Sequence, residues 1–171
     1  MTIAEHPSDR TQRLDTIGHA QQVTAASPDW GQAVDALYRF AAGQDLRDPA
    51  LLASAFTADA SLDFTQPAAR FGAALPVFES RDTIVSTIGH SLARLRTTHT
   101  VTNPRLEIEG DHARLFALVE AQHVWQEAPA DMFLLKNIYR LRLVRAGQAW
   151  LIEYMHIETV WHEGNPRLLF A

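Results

Sequence analysis

Cysteine is absent from the 171 residues of the chain. This absence excludes disulfides, thiolate catalysis and zinc sites built on cysteine. No apolar run approaches the ~20 residues that a membrane-spanning helix needs, and the N-terminus lacks the apolar core of a signal peptide. We therefore predict a cytoplasmic protein that has no membrane partner.

Clustered positive charge is also lacking. The net charge is −5, the pI is about 5.9, and lysine and arginine form no run. A general binder of nucleic acid needs such clusters for the phosphate backbone, so no nucleic-acid partner is expected. Hydrophobic residues make up 47% of the chain, which is enough to fill one core.

The chain is predicted to form one domain behind a polar arm. Residues 1–26 are polar and show no sustained periodicity, which is typical of a mobile arm. Residues 27–171 contain no repeat and no linker, and we interpret them as a single domain. Within them, residues 65–79 are broken by two prolines and a glycine, which predicts a loop that covers a pocket mouth.

Three helix starts can be recognised from capping residues. Ser27-Pro28 and Asp48-Pro49 each combine a preferred N-cap with proline at the first helical position. Ser80 precedes a third apolar stripe at helical spacing. Gly43 is a natural stop for the first helix, so Asp45 is expected in the short connection between two helices.

Four long strands are predicted in the second half of the chain, at residues 97–108, 112–125, 132–145 and 149–160. Alternating apolar residues define them, and Gly110 and Gly147 mark hairpin turns. The last strand has two mixed faces, so its core side is not defined. The element order predicts an α+β fold in which three N-terminal helices cross a curved antiparallel sheet and enclose an apolar cavity.

Two histidines stand on apolar strand faces. His99 shares a face with Val101, and His123 is the polar member of a face that is otherwise apolar. Such a histidine suits acid/base chemistry because its pKa lies near neutral, although a core histidine that donates to a carbonyl gives the same pattern. His99, His123 and His156 could also be read as a metal triad, but no close spacing supports a metal site and none is expected.

The residues that carry these features resemble a known family. The segments 38–56, 99–107 and 120–125 are similar to the nuclear-transport-factor-2-like (SnoaL-like) family, and the resemblance covers roughly residues 28–166. The relevant members are scytalone dehydratase and lindane dehydrochlorinase. Asp45, seven residues before Leu52, matches their catalytic aspartate.

The resemblance implies a cone-shaped α+β barrel and a function. His99 matches the catalytic histidine of both enzymes, and His123 matches a second active-site histidine of the dehydratase. It implies a cofactor-independent lyase or isomerase, dehydratase-like, that uses Asp45 to orient His99 as the base while His123 acts as acid or binder. The expected substrate is an apolar, cyclic, carbonyl-bearing small molecule, and the expected assembly is a homodimer or homotrimer. Expected substrate-binding residues are Tyr38, Phe64, Trp125, Asn137 and Tyr139.

The chain departs from both enzymes at other polar positions. Gln44 and Phe64 stand where the dehydratase has tyrosines, and Phe40 and Met155 stand near the lysine and the arginine of the dehydrochlorinase. The dyad is therefore shared but neither substrate is transferable.

Other interpretations stay open at this point. Asp45 could simply cap the second helix, and Asn137 and Tyr139 could only pack. The domain could be a polyketide cyclase, or a non-catalytic ligand-binding or assembly subunit of the same fold.

Overall fold

The structure is a computed structural model that describes residues 27–170. The predicted arm at residues 1–26 lies outside the described residues. The helices are α1 Pro28–Asp45, α2 Pro49–Ser54, α3 Thr65–Arg70, α4 Arg81–Ser91 and α5 Arg167–Phe170. The strands are β1 Phe56–Asp63, β2 Phe78–Glu79, β3 Leu95–Glu109, β4 His112–Trp125, β5 Met132–Ala146 and β6 Ala149–Gly164.

The three predicted helix starts are confirmed. Ser27 is the N-cap of α1 and Asp48 is the N-cap of α2, where its carboxylate accepts the backbone N–H groups of Ala50 and Leu51. Ser80 caps α4 through the N–H of Thr83. The Asp48 and Ser80 side chains satisfy N–H groups that have no partner inside the helix, whereas Ser27 makes no side-chain cap hydrogen bond.

Gly43 does not end α1, which runs on to Asp45. A Cβ atom at Gly43 would lie 2.5 Å from the backbone nitrogen of Leu52. The glycine therefore allows α1 and α2 to approach closely, a use of glycine that helix-ending rules do not cover. Its consequence is that Asp45 belongs to the last turn of α1 rather than to the connection.

One six-stranded sheet carries the fold, in the order β2-β1-β6-β5-β4-β3. Strands β3 to β6 form an antiparallel meander, and Gly110 and Gly147 occupy its turns at φ +62° and +66°. The predicted sheet was antiparallel throughout, but β1 pairs with β6 in parallel. Parallel neighbours need a long connection, and here the intervening helices and the meander supply it.

Strand β6 contains a bulge that explains its mixed faces. Glu153 is an extra residue relative to β5, because Ile152 pairs with Leu143 while Tyr154 pairs with Arg142. A residue inserted in this way reverses the alternation beyond it. The core-facing side chains are accordingly Trp150 and Ile152 before the bulge, and Met155, Ile157 and Thr159 after it, while Tyr154 is buried by its contact with Asp63 on the side of His156.

Residues 65–79 were predicted to form one loop. This prediction is wrong, because they contain α3 and β2. Pro67 is tolerated because it lies in the first turn of α3, where the lost N–H would have had no partner inside the helix. Four helices, rather than three, therefore precede the long strands in the described part of the chain. Phe56 begins β1 shortly after α2 ends.

The core lies between α1 and the inner faces of the long strands. Alternate residues of β4 and β5 are buried, in agreement with the alternating apolar pattern that defined these strands. The largest fully buried side chains include Leu37, Phe40, Leu115, Leu141 and Trp150. A second cluster around Phe133 receives Leu168 and Leu169 of α5. None of the helices formed by residues 28–170 is long and apolar enough to cross a bilayer.

Candidate active site

The end of α1 is fixed against β3 by Arg47. This residue adopts φ +56°, and its guanidinium donates to the carbonyls of Gln44 and Leu95 and, at 3.1 Å, to Oγ1 of Thr97. A cation that binds a terminal helix carbonyl also complements the helix dipole. The result is that Asp45, in the last turn of α1, faces His99 on β3.

Asp45 and His99 make two short contacts. The Oδ1 atom of Asp45 lies 2.7 Å from Nδ1 of His99, and its Oδ2 atom accepts the backbone N–H of His99 at 2.7 Å. The two contacts fix both the ring and its strand relative to the carboxylate. Because Nδ1 donates to Asp45, the other ring nitrogen, Nε2, is left for chemistry.

The dyad is largely withdrawn from water. The His99 side chain is 3% exposed and the Asp45 side chain 22% exposed. Burial raises the pKa of Asp45, but the hydrogen bonds and charge of His99, with a hydrogen bond from Thr97, outweigh it and hold the pKa below its usual range. Asp45 is therefore a carboxylate at neutral pH. It does not cap α2, since Asp48 makes those contacts.

His123 lies beside the dyad as a neutral imidazole. Its side chain is 4% exposed, and its ring centroid is 6.2 Å from that of His99. Burial, together with the charge of His99, lowers the pKa of His123 to about 4. Its Nδ1 atom is 3.2 Å from the carbonyl of Phe133 and must donate to it. The Nε2 atom of the neutral ring is consequently an acceptor.

A cavity of about 190 Å³ opens in front of these side chains. Most of its wall is apolar, which strengthens electrostatic interactions inside it because little water screens them. The polar groups in the wall are the two histidines and a few others on α1, α4 and β5. Gln44, one of them, uses its Nε2 atom to donate to the carbonyl of Phe40. The apolar wall includes Phe40, Leu62, Phe64, Phe78, Ile88 and Leu135.

Asn137 and Tyr139 also line the cavity. The hydroxyl of Thr159 donates to Oδ1 of Asn137 at 2.9 Å, which leaves the amide nitrogen of Asn137 as a donor. Burial is the main cause that raises the pKa of Tyr139, and the charge of Asp45 adds to it against the opposing effect of Asn137. Tyr139 is therefore a neutral phenol, and the negative charge of Asp45 opposes its ionisation.

Two of the expected substrate-binding residues do not reach the cavity. Tyr38 is 45% exposed, because the buried face of α1 contains Leu37, Phe40 and Gln44 and Tyr38 projects away from it. Trp125 ends β4, where the guanidinium of Arg94 lies 4.4 Å from its ring centroid. Neither is part of the cavity wall, whereas Phe64, Asn137 and Tyr139 are.

The three histidines considered as a metal triad are not brought together. His156 lies between the inward residues Met155 and Ile157, so alternation directs it to the other face of the sheet. There its Nδ1 atom is 3.1 Å from Oδ2 of Asp63. No group of three His, Asp or Glu side chains suited to a metal ion exists among residues 27–170.

Several residues of the site were missed by sequence reasoning. Arg47 has a recognisable signal, a basic residue directly after a helix end. Thr87 and Ser91 of α4 and Leu169 of α5 line the cavity, but nothing local in the sequence distinguishes them from other helix residues. Their place in the wall follows from how α4 and α5 pack on the sheet.

Comparison with known proteins identifies the family of the chain. A family model described as a SnoaL-like domain matches residues 26–156. The "Terrestric acid biosynthesis cluster protein E" of Penicillium crustosum is 30% identical over 150 residues, which cover 84% of this chain and 90% of that protein.

Solved structures share the fold. A candidate scytalone dehydratase from Novosphingobium aromaticivorans superposes with a TM-score of 0.69 at 16% identity, covering 80% of this chain and 87% of the other. A type 3 hexachlorocyclohexane dehydrochlorinase from Novosphingobium barchaimii gives a TM-score of 0.67 at 16% identity, covering 84% and 94%. At these identities the likeness supports the cone fold alone. The domain match over residues 26–156 shows that this chain belongs to the SnoaL-like family.

Proposed function

We propose that this protein is a cofactor-independent lyase or isomerase, dehydratase-like, that removes a proton next to the carbonyl of an apolar cyclic small molecule. The observation that carries the proposal is the 2.7 Å contact between Asp45 Oδ1 and His99 Nδ1. The contact lies at the wall of a largely apolar cavity. A positioned base of this kind contributes about 10²- to 10⁴-fold to the rate.

In the proposed reaction His99 is the base. Its Nε2 atom takes the proton from the carbon next to the carbonyl, and the Asp45 carboxylate stabilises the imidazolium that forms. The electron pair of the broken C–H bond forms a C=C bond, and the carbonyl π pair moves to oxygen. In a dehydration the enolate then expels a β-hydroxyl group, which leaves as water with the proton from His99; in an isomerisation the proton returns to another carbon.

The size of the cavity supports a small substrate. An apolar cavity of about 150 Å³ holds one benzene, so about 190 Å³ suits a molecule of one or two rings. His123 is proposed as a binder rather than an acid, because its neutral ring presents an acceptor nitrogen. That nitrogen would accept a hydrogen bond from a hydroxyl group of the substrate.

The alternative of a non-catalytic ligand-binding or assembly subunit is less well supported. Such a subunit has no need of a buried, oriented carboxylate–imidazole pair next to an open cavity. A polyketide cyclase stays compatible, because ring closure can also begin with proton abstraction beside a carbonyl. The name of the Penicillium relative, which belongs to a biosynthesis cluster, supports a role in small-molecule biosynthesis.

The test is exchange of carbon-bound hydrogen in D₂O. The probe is 2-indanone, a small apolar cyclic ketone with acidic protons beside its carbonyl, and proton NMR follows their loss. The wild type is expected to accelerate exchange over buffer, and His99→Ala and Asp45→Asn to lower the rate by about 10²-fold or more. Wild-type exchange no faster than buffer, or equal rates in the two variants and the wild type, would contradict the proposal.

Matched controls exist in the chain. Asp48→Asn makes the same chemical change three residues away at an exposed helix cap, where asparagine caps as well as aspartate. His90→Ala removes an exposed histidine from α4. Both variants are expected to exchange 2-indanone at the wild-type rate.

We further propose that the protein acts in the cytoplasm and self-associates as a dimer or trimer, as the family resemblance implies. Large apolar side chains on the outer face of the sheet, including Leu118, Met132 and Trp161, are exposed and support self-association. Sedimentation equilibrium of the full chain tests it, and a monomer at high micromolar concentration would contradict it.

A further inference from the structure

Two side chains in the cavity wall beside the dyad, Gln44 and Phe64, carry no hydroxyl group. An enolate that forms after proton removal carries its charge on oxygen, and a donor at that oxygen is usually a large contribution to catalysis. Among the described residues of the wall, the polar side chains that could donate such a hydrogen bond are few.

Most candidates are already engaged or have the wrong polarity. His123 donates through Nδ1 to the Phe133 carbonyl and offers only an acceptor. The Gln44 amide donates one of its two hydrogens to the Phe40 carbonyl, and the second is an alternative donor. Thr87 and Ser91 carry hydroxyls, but they lie on the partly solvated helix α4, where water competes for them.

Tyr139 differs from all of these. Its side chain is 3% exposed and lines the cavity from β5. The Thr159 hydroxyl donates to the oxygen of the Asn137 amide, so the amide nitrogen is left as a donor, and Asn137 lowers the pKa of Tyr139 as a donor to the phenol oxygen does. With Asn137 in the donor role, the phenol keeps its own hydrogen to donate. No protein acceptor for that hydrogen is found in the part of the chain that the structure describes.

We infer that Tyr139 donates a hydrogen bond directly to the carbonyl oxygen of the substrate while His99 removes the neighbouring proton, and that Thr159 and Asn137 are positioning residues that direct this donor. The inference rests on the proposed function. It assigns the carbonyl oxygen of the proposed substrate a hydrogen-bond donor, which an elimination without such an oxygen would not need.

The electron flow balances without a further reactant. The C–H pair becomes a C=C bond, the proton goes to His99 Nε2, and the carbonyl π pair goes to the oxygen that faces Tyr139. The tyrosine keeps its proton, because burial and the nearby Asp45 charge raise its pKa. It stabilises the enolate by donation alone, and loss of one such donor lowers the rate by about 10²- to 10³-fold.

Infrared spectroscopy of bound 2-indanone tests the donor independently of turnover. The carbonyl stretch of the bound ketone is expected to lie below its frequency in hexane, and Tyr139→Phe is expected to return it to the hexane value while the ketone stays bound. The Phe40 ring packs edge-on to Tyr139 at 6.1 Å, a contact that phenylalanine preserves. Thr87→Val and Ser91→Ala are expected to keep the shift.

The positioning residues have their own readout. Thr159→Val frees the Asn137 amide to turn its oxygen to Tyr139, so the phenol donates to Asn137 and the infrared shift is reduced although Tyr139 is present. Thr159→Ser restores the donor and the shift. A merely structural role of Thr159 would leave the frequency of the bound ketone unchanged.

The outcomes separate this inference from the proposed function. A shift that survives in Tyr139→Phe, disappears in Thr87→Val or Ser91→Ala, or is absent from the wild type overturns the inference, as does failure of 2-indanone to bind at millimolar concentration. Asp45→Asn is expected to keep the shift while losing exchange. Loss of exchange in Asp45→Asn and His99→Ala together with an unshifted carbonyl would leave the dyad standing and remove only Tyr139.

Discussion

The wild type is expected to lose stability in mild acid because of His123, and replacing His123 with asparagine is expected to abolish this loss. The buried ring has a pKa of about 4, against 6.5 for a histidine in water. Between these two values the unfolded chain binds a proton that the folded chain does not. The free energy of unfolding of the wild type therefore falls as the pH falls from about 6.5 to about 4, and this contribution is constant outside that window.

The magnitude follows from the same two values. A difference of about 2.5 pKa units between 6.5 and 4 corresponds to about 3 kcal/mol at ~1.36 kcal/mol per unit. Asparagine places an N–H close to the position of Nδ1, so the hydrogen bond to the Phe133 carbonyl is retained while the titrating group is lost.

Urea unfolding of both proteins at several values from pH 7.5 to pH 4 measures the effect. The stability difference between the wild type and His123→Asn is expected to change by about 3 kcal/mol across the window, because all other titrating groups cancel. Nitrogen-15 NMR of the wild type should also find the proton on Nδ1 of His123. Parallel stability curves for the two proteins, or a proton on Nε2, would refute the assignment of His123 as a neutral acceptor.

Two further substitutions test the packing that holds the site. Gly43→Ala places a methyl group 2.5 Å from the Leu52 backbone nitrogen and is expected to lower the free energy of unfolding by about 1–3 kcal/mol. Gly31→Ala, in open space on the same helix, is expected to raise the free energy of unfolding by about 0.5–1 kcal/mol. Thermal melts of both variants measure these changes. Asp63→Asn replaces a carboxylate that accepts hydrogen bonds from Thr65, Tyr154 and His156. Burial raises the Asp63 pKa but these hydrogen bonds hold it below its usual 3.8, so its contribution is present at neutral pH and lost as the pH falls below about 4. The variant should be less stable at pH 7 by roughly 1.5–3 kcal/mol and flatter below pH 4, while the exposed Asp59→Asn should match the wild type in urea titrations.

The parts of the fold that local signals determine were predictable. The caps Ser27, Asp48 and Ser80 and the turns at Gly110 and Gly147 act within a few residues of themselves, so the sequence contains their whole cause. The bulge at Glu153 could not be predicted from local signals, because the period-two pattern of β6 changes phase only where β5 pairs with it. Gly43 likewise gains its role from Leu52, a contact between two helices.

The candidate site shows the same division. Alternation along β3 and β4 and the family resemblance indicated Asp45, His99 and His123, and the structure brings these three side chains together. The helical pattern did not exclude Tyr38, because the apolar residues Val34 and Ala41 stand at helical spacing from it. The donor role inferred for Tyr139 depends on Thr159, twenty residues away, and no local pattern joins them.

The central claim is that the imidazole of His99 removes the proton, and chemical rescue tests it most directly. His99→Gly is expected to lose exchange of 2-indanone in D₂O by about 10²-fold or more, and added imidazole is expected to restore part of the rate by occupying the vacated space beside Asp45. Restoration should be weaker when Asp45→Asn is combined with His99→Gly. A His99→Gly protein that exchanges the ketone at the wild-type rate without imidazole would contradict the account.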